Sequence, residues 1–229
     1  KIADLIISDN QGIEDYLKAE YGDVTSTVIA YGTNPVARDT TIDMAWFDAQ
    51  GVKLKGYYLV VGRFVPENNY EAIIRNFMAS DTTRDLVIVT NHQGNPFFDK
   101  LREITGFEQD KRVKFVGTVY DKEMLAAIRQ QAFAYIHGHA VGGTNPGLLE
   151  AMGATDLNLV YDVSFNRNVA LDSALFWQLD NLSALIAQAE KLEALEIARL
   201  AEKARAIIAE KYTWEWIVTQ YERLFLNES

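Results

Sequence analysis

Residues 137–152, which read HGHAVGGTNPGLLEAM, combine residue types that bind anions in α/β proteins. The adjacent glycines Gly142 and Gly143 let the backbone turn and approach a ligand closely. Thr144 or Asn145 can then cap a helix, and the free N–H groups and dipole at the start of a helix attract phosphate. The stretch therefore predicts a strand, a flexible loop and a helix arranged as an anion site.

The helix after this loop carries a second candidate group. Pro146 suits the first helical position, and Glu150 follows about one turn later, where its carboxylate can accept a hydrogen bond from a sugar hydroxyl. The stretch matches neither GxGxxG nor GxxxxGK[ST]. A ligand site and a plain connector between a strand and a helix both stay open on these residues alone.

Composition excludes several other kinds of site. The 229 residues carry a net charge of −10 without a run of Lys or Arg, so nucleic acid is not an expected partner. There is no cysteine, which excludes disulfides, thiolate metal sites and cysteine nucleophiles. His137 and His139 would face one side of a strand, but no third ligand accompanies them, so we predict no metal.

The sequence also bears on localisation and extent. It holds no apolar stretch of the length that a transmembrane helix needs, and the absence of cysteine fits a reducing cytosol. We therefore expect a cytoplasmic protein, peripheral to the inner face of the membrane in its full-length form. Because the chain starts at Lys1 and runs at once into an apolar segment, we expect a fragment of a longer protein.

Short β-rich runs alternate with helical segments along most of the chain. The predicted strands are residues 3–7, a strand within 25–35, 57–61, 85–90, 113–116, 132–136 and 157–162. The predicted helices are residues 10–21, 42–49, 66–78, 96–105, 122–131, two helices within 182–211 and one helix over 212–226. Residues 163–172 are predicted to form a polar loop. This alternation predicts an α/β fold with a doubly wound parallel sheet.

Ligands of such sheets bind beyond the carboxyl ends of the strands. Polar, glycine-bearing loops follow five of the predicted strands, at residues 32–35, 62–69, 91–96, 117–121 and 137–146. These loops would gather at one rim of the sheet. Their agreement favours a ligand site over a plain connector.

Three segments, YYLVVGRFVPENNYEAII, VKFVGTVYDKEML and GGTNPGLLEAM, carry a family resemblance in their order and spacing. Together they resemble the donor-binding, C-terminal half of a GT-B glycosyltransferase of the retaining family-4 type. Residues 137–151 are most similar to bacterial polysaccharide rhamnosyltransferases. The resemblance spans nearly the whole chain and implies a Rossmann-like half of a GT-B fold with C-terminal helices.

The resemblance implies a division of the chain as well. Residues 1–30 would be the end of the N-terminal domain or a linker segment packed on the core. Residues 31–211 would form the nucleotide-sugar donor-binding domain, and residues 212–229 a helix that crosses back. The N-terminal, acceptor-binding domain would be a missing partner.

Roles for individual residues follow from the same resemblance. Arg63 matches the family arginine that contacts the donor diphosphate, and Glu150 the glutamate that binds the ribose, so these two are the catalytic candidates. The other candidate diphosphate residues are Asn68, which stands where the family usually has Lys, and Gly143, Thr144 and Asn145. Val119 and Tyr120 would lie near the base, and the candidate sugar-binding residues are His137, His139 and Asn166.

Acidic groups of the family pattern are absent at three positions. Gly142 stands at the place of the first glutamate of the E-x7-E pattern. Ala140 and Asn168 stand where the similar sequences often carry Glu. These replacements support binding of a donor more strongly than catalysis.

The resemblance implies transfer of a sugar, with retention, from a nucleotide-diphosphate donor to a polysaccharide or lipid-linked acceptor. The leading donor is dTDP-rhamnose, and no metal or other cofactor is implied. The transition state is oxocarbenium-like, so the protein must chiefly stabilise the departing diphosphate. The alternatives are a non-catalytic nucleotide-sugar binding module, a GT-B type sugar-nucleotide epimerase, which would need acid/base residues in its cleft, and a plain structural α/β domain.

Overall fold

The computed structural model of the chain describes residues 3–34 and 42–226. Within these ranges the strands are β1 (Ile6–Ser8), β2 (Ser26–Val28), β3 (Tyr57–Val61), β4 (Asp85–Val89), β5 (Val113–Gly117), β6 (Ala134–His137), β7 (Asn158–Tyr161) and β8 (Leu175–Trp177). The helices are α1 (Gln11–Tyr21), α2 (Met44–Gln50), α3 (Tyr70–Met78), α4 (Pro96–Thr105), α5 (Lys122–Gln131), α6 (Pro146–Ala154), α7 (Ser164–Ala170), α8 (Leu182–Ala189), α9 (Ala194–Lys211) and α10 (Trp214–Leu226).

Six strands form one sheet in the order β5-β4-β3-β6-β7-β8, and every neighbouring pair is parallel. The predicted α/β class with a doubly wound parallel sheet is confirmed. The strand order reverses between β3 and β6, so the loops after these two strands leave toward opposite sides. A crevice opens at such a switch point.

Both faces of this sheet are buried, as alternate residues of β3 show. Tyr58 and Val60 belong to one hydrophobic cluster, and Tyr57 and Leu59 belong to another. Successive side chains of a strand point to opposite faces, so each cluster marks one covered face. Helices therefore cover the sheet on both sides, which explains why β3 is a continuous apolar run rather than an alternating one.

Three predicted segments differ from the structure. Residues 163–172, predicted as a loop, contain α7, whose Val169 and Ala170 are buried. The edge strand β8 has no counterpart among the predicted strands, because three residues are too few to show a period. Residues 66–78 form a 3-10 turn over Pro66–Asn68, then Asn69 in the left-handed region with φ 54°, and only then α3.

Residues 3–30 form a small unit of their own, in which β1 pairs with β2 in a separate two-stranded parallel sheet. The following segment joins α10, because Thr33 bridges Thr213 and its N–H donates to the carbonyl oxygen of Tyr212 at 2.7 Å. Thr213 caps α10, since its hydroxyl accepts from the N–H of Trp216. Residues 1–2, 35–41 and 227–229, which include the predicted turn at Pro35, lie outside the described residues.

The helix α10 is only partly buried. Ile217 packs in the interior, whereas Trp214 keeps 44% of its surface exposed and Val218 is exposed as well. Among the described helices, none combines the length and apolar character required to cross a membrane.

Candidate functional site

A cavity of about 380 Å³ lies at the carboxyl ends of β3 and β6, at the switch point of the sheet. Its polar lining comes from the loop after β3, the start of α3, the end of α5, β6 and the segment after it, and the start of α6. The polar side chains that line it are Arg63, Asn68, Tyr70, Arg129, Tyr135, His137, His139, Asn145 and Glu150. The structure thus brings six of the predicted site residues to one cavity.

Arg63 supplies an uncompensated positive charge at this cavity. It is exposed, and none of the ion pairs formed among the described residues involves it. A guanidinium without a carboxylate partner is available for the oxygens of a phosphate, which its planar fork of donors fits.

Asn68 lines the cavity beside Arg63, but its side-chain amide bonds to the protein. Its Nδ2 donates to the carbonyl oxygen of Arg63 at 2.7 Å, and its Oδ1 lies 2.8 Å from Nδ1 of His139. Both ends of the side chain amide are therefore engaged within the protein. Asn68 braces the loop that carries Arg63 against the segment after β6.

The same loop is fastened to the segment after β6 by its neighbours. Asn69 donates to the carbonyl oxygen of Gly138 at 2.9 Å, and the N–H of Ala140 donates to the carbonyl oxygen of Glu67 at 2.9 Å. A Cβ on Gly138 would lie 2.2 Å from the carbonyl oxygen of Asn68. Only glycine permits this approach.

The two histidines of the cavity are neutral at neutral pH. Burial, together with the nearby His139, lowers the pKa of His137 to about 3. Burial and the positive charge of Arg63 lower the pKa of His139. Nε2 of His137 is enclosed and has no hydrogen-bond partner among the described residues. The histidines can therefore offer hydrogen bonds to a ligand but no positive charge.

The start of α6 presents the positive end of its helix dipole to the cavity. Of the two predicted caps, Asn145 is the one the structure uses, since its side chain accepts from the N–H of Gly147 at 2.9 Å. Pro146 occupies the first position, and the buried Leu148 and Leu149 anchor the helix beneath the cavity. The N-terminal end of the helix dipole therefore points at the cavity that Arg63 also lines.

Glu150 is joined to an arginine that the sequence did not single out. Nη2 of Arg129 lies 2.5 Å from Oε2 of Glu150, and Arg129 is only 6% exposed. The signal that could have identified it is an arginine in the last turn of a helix that leads directly into the strand before the candidate anion loop. The cavity thus holds a carboxylate whose charge is balanced, beside an arginine whose charge is not.

Gly143 and Thr144 do not line this cavity, because the start of the chain packs against them. A Cβ on Gly143 would lie 1.9 Å from Oδ1 of Asp9, and the hydroxyl of Thr144 donates to the carbonyl oxygen of Asp9. Burial raises the pKa of Asp9, and hydrogen bonds from its own N–H and that of Thr144 oppose the shift. Asp9 is a second residue that the sequence did not single out.

Three other predicted site residues also lie away from the cavity lining. Tyr120 is 87% exposed, and Val119 is partly buried against the hydrophobic cluster on one sheet face. Asn166 is buried, and its Nδ2 donates to the carbonyl oxygens of His139 and Tyr161, both at 2.9 Å. Asn166 therefore ties the segment after β6 to the end of β7.

A second cavity, of about 640 Å³, adjoins the first and shares Arg129, Pro146 and Glu150 with it. The linker at Tyr31 to Asn34, the start of α5 and Trp214 form its other walls. Within the described part of the chain, no group of three or more His, Asp or Glu side chains is placed to hold a metal ion.

Comparison with known proteins gives a family match for the first part of the chain only. Residues 1–34 match a family model described as a domain of unknown function, DUF1972. No curated protein matches the sequence.

Solved structures match nearly the whole chain. Sucrose-phosphate synthase from Thermosynechococcus elongatus is 20% identical with a TM-score of 0.79, and the match covers 98% of this chain and 58% of that one. Anabaena HepE in complex with UDP-glucose is 17% identical with a TM-score of 0.82, covering 98% and 64%. A glycosyltransferase from Rickettsia africae is 11% identical with a TM-score of 0.80, covering 98% and 64%.

These likenesses establish the fold. The six-stranded parallel sheet and its flanking helices match a Rossmann-like half of a GT-B structure. The chain spans 58% to 64% of the length of these three proteins.

Proposed function

We propose that the cavity at the ends of β3 and β6 binds the nucleoside diphosphate of a sugar donor, and that the chain is the donor-binding part of a retaining glycosyltransferase. One observation carries this proposal: the same cavity at the switch point of the sheet is lined by a carboxylate, the start of a helix and an arginine that forms no ion pair with the described residues. The arginine and the helix suit a diphosphate, and the carboxylate suits a sugar hydroxyl.

The donor-binding roles divide between the two ends of the cavity. Arg63 and the positive end of the α6 helix dipole bind the diphosphate and stabilise the negative charge that grows on it as the glycosidic bond breaks. Glu150 accepts a hydroxyl of the nucleoside pentose, and His137 and His139 offer neutral hydrogen-bonding groups to the sugar. The reaction needs no metal in this scheme.

The donor and acceptor classes rest on likeness. HepE was solved in complex with UDP-glucose, which supports a nucleotide sugar as the ligand class. The similarity of residues 137–151 to polysaccharide rhamnosyltransferases makes dTDP-rhamnose the leading donor. The acceptor is a polysaccharide or a lipid-linked saccharide, held by an N-terminal domain of the full-length, cytoplasmic protein.

A non-catalytic nucleotide-sugar binding module is the second candidate function. Glu150 is the only acid among the described residues that line the cavity, and Arg129 already engages it. The same scarcity of acids argues against an epimerase, which needs acid/base groups beside the sugar. Transfer of labelled sugar by the full-length protein separates a transferase from a binding module.

Calorimetric titration of the chain with UDP, dTDP and GDP tests the site. We expect at least one nucleotide to bind, and Arg63→Ala to weaken it by about tenfold or more, as the loss of a charged hydrogen bond does. Asn68→Ala should have a smaller effect, because its amide contacts the protein rather than the ligand.

Arg199→Ala is the matched control, since Arg199 is an exposed arginine of α9. It should leave the affinity unchanged. If none of the three nucleotides produces heat of binding, the proposed function is contradicted. Equal losses from Arg63→Ala and Arg199→Ala would place the diphosphate elsewhere.

A further inference from the structure

Arg129 is a buried cation to which neither the anion loop nor the family resemblance assigns a role. It belongs to the last turn of α5, is almost completely buried, and lines both cavities. Its guanidinium lies 2.5 Å from Oε2 of Glu150. The pair therefore stands on the wall between the two cavities.

The backbone of Arg129 is fixed independently of this ion pair. Its carbonyl oxygen accepts from the hydroxyl of Thr155, the residue after α6, at 3.0 Å. The ends of α5 and α6 are thereby tied together beneath the cavity. Glu150, one turn earlier in α6, is then within reach of a guanidinium that cannot shift far.

We propose that Arg129 is the positioning residue of Glu150, and that it leaves a single carboxylate oxygen, Oε1, to receive the ligand. This inference rests on the proposed function and names the residue that orients its carboxylate.

The geometry supports this assignment because Arg129 contacts one of the two carboxylate oxygens of Glu150. Oε2 is held by Arg129 through a charge-assisted hydrogen bond, the stronger kind. Rotation of the carboxylate away from Arg129 would leave a buried guanidinium without its partner, which is costly. The ion pair therefore holds the carboxylate of Glu150 in one orientation.

The first test separates this inference from the proposed function. UDP, dTDP and GDP are titrated into the wild-type chain, and failure of all three to bind would overturn both. Binding of UDP leaves the proposed function in place, and variants of Arg129 and Glu150 then decide the inference.

The second test is a double-mutant cycle on UDP binding with Arg129→Gln, Glu150→Gln and the double variant. If Arg129 acts through Glu150, each single variant weakens binding about tenfold and the double variant is no weaker than the single ones. Additive losses, near a hundredfold, would show that Arg129 contacts the ligand directly or only supports the fold, and would overturn the inference.

Arg129→Lys covers the case in which the glutamine variant does not fold. Lysine keeps the positive charge beside Glu150 but lacks the planar fork of donors, so we expect UDP binding to weaken by less than about tenfold. A loss of tenfold or more from Arg129→Lys that adds to the loss from Glu150→Gln would overturn the inference.

Arg84→Gln is the matched control, because it also removes an arginine from an ion pair, with Glu190. It should leave UDP binding unchanged, since neither residue of that pair lines the cavity. A loss equal to that of Arg129→Gln would contradict the assignment.

Discussion

Arg63 and Glu150 differ in how their charges are balanced, and this difference assigns them to separate parts of a ligand. Arg63 is exposed and has no carboxylate partner among the described residues, so its charge is free to bind phosphate. The charge of Glu150 is balanced by Arg129, so it does not repel the diphosphate nearby. The part of the cavity that would bind the diphosphate therefore keeps a net positive charge, and the part that would bind the pentose does not.

The buried histidines make the stability of the chain sensitive to acid. The pKa of His137 is about 3 in the folded chain and about 6.5 in the unfolded chain, so the unfolded state binds a proton that the folded state refuses. Stability is therefore complete above about pH 6.5 and is lost as the pH falls, by about 2 kcal/mol at pH 5 for one such group.

His137→Gln should flatten this pH dependence. The free energy of unfolding in urea, measured at pH 7, 6 and 5, should fall less steeply for the variant than for wild type. His139 shifts in the same direction and accounts for the remaining slope, whereas the raised pKa of Asp9 acts in the opposite direction. Identical slopes for the variant and wild type would contradict the burial of a neutral His137.

Among the elements, the loop after β3 and the segment after β6 act as one unit. Asn68, Asn69 and Glu67 all hydrogen-bond across to residues 138–140, and Gly138 lets the two backbones touch. The position of Arg63 is thus set by a strand that is distant in sequence but adjacent in the sheet.

Gly138→Ala should separate these two segments. A Cβ there would meet the carbonyl oxygen of Asn68 at 2.2 Å and Cδ1 of Ile73 at 2.8 Å. We expect a loss of about 1–3 kcal/mol of stability from this overpacking, together with weaker nucleotide binding. Gly153→Ala is the control, because a Cβ at that helical position meets nothing within 4 Å.

The control should be neutral or stabilise the chain by up to about 1 kcal/mol, since alanine is the better helix former. Thermal unfolding of both variants measures the two effects. Equal stability of the two variants would show that the approach at Gly138 is not tight.

Sequence patterns predict most of these elements, and the failures have physical reasons. The predicted bounds of residues 57–61, 96–105 and 122–131 agree with the structure to the residue, because each is a full apolar run or an amphipathic helix with a clear cap. The helix α7 escapes prediction because its polar Asn166 is buried and bonded to backbone, which a hydrophobic pattern does not register.

The sequence predicts only those site residues that belong to short motifs. Asn145 and Glu150 lie at the cap and in the second turn of one helix, where a few adjacent residues show their chemistry, and Arg63 is indicated by the family resemblance. Arg129 and Asp9 reach the site across long stretches of sequence, from the end of α5 and from the loop before α1. Their contribution depends on the packing of elements, which spacing alone does not give.

On the scale of the whole molecule, the unit of residues 3–30 is joined to the sheet through Asn10. This buried residue caps α1, and its Nδ2 donates to the carbonyl oxygen of Phe165 at 3.2 Å and lies 3.5 Å from the hydroxyl of Thr144. The two parts therefore meet beside the anion loop. The chain therefore forms two separate sheets on either side of residue 30, but the two parts pack against each other.

Asn10→Ala should therefore lower the stability of the chain by more than the loss of a helix cap does. We expect a decrease of about 2 kcal/mol in stability, compared with about 0.5–1 kcal/mol for Asp43→Ala, which removes the exposed cap of α2. Urea unfolding of both variants makes the comparison. Equal losses would show that Asn10 serves only as the cap of α1.

The most direct test of the central claim is a crystal structure of the chain with a bound nucleoside diphosphate. The phosphate oxygens should lie about 2.7–3.2 Å from the guanidinium of Arg63, at the N-terminal end of α6, with a pentose hydroxyl on Oε1 of Glu150. A nucleotide whose phosphates lie away from Arg63, for example beside Lys122 in the second cavity, would contradict the account.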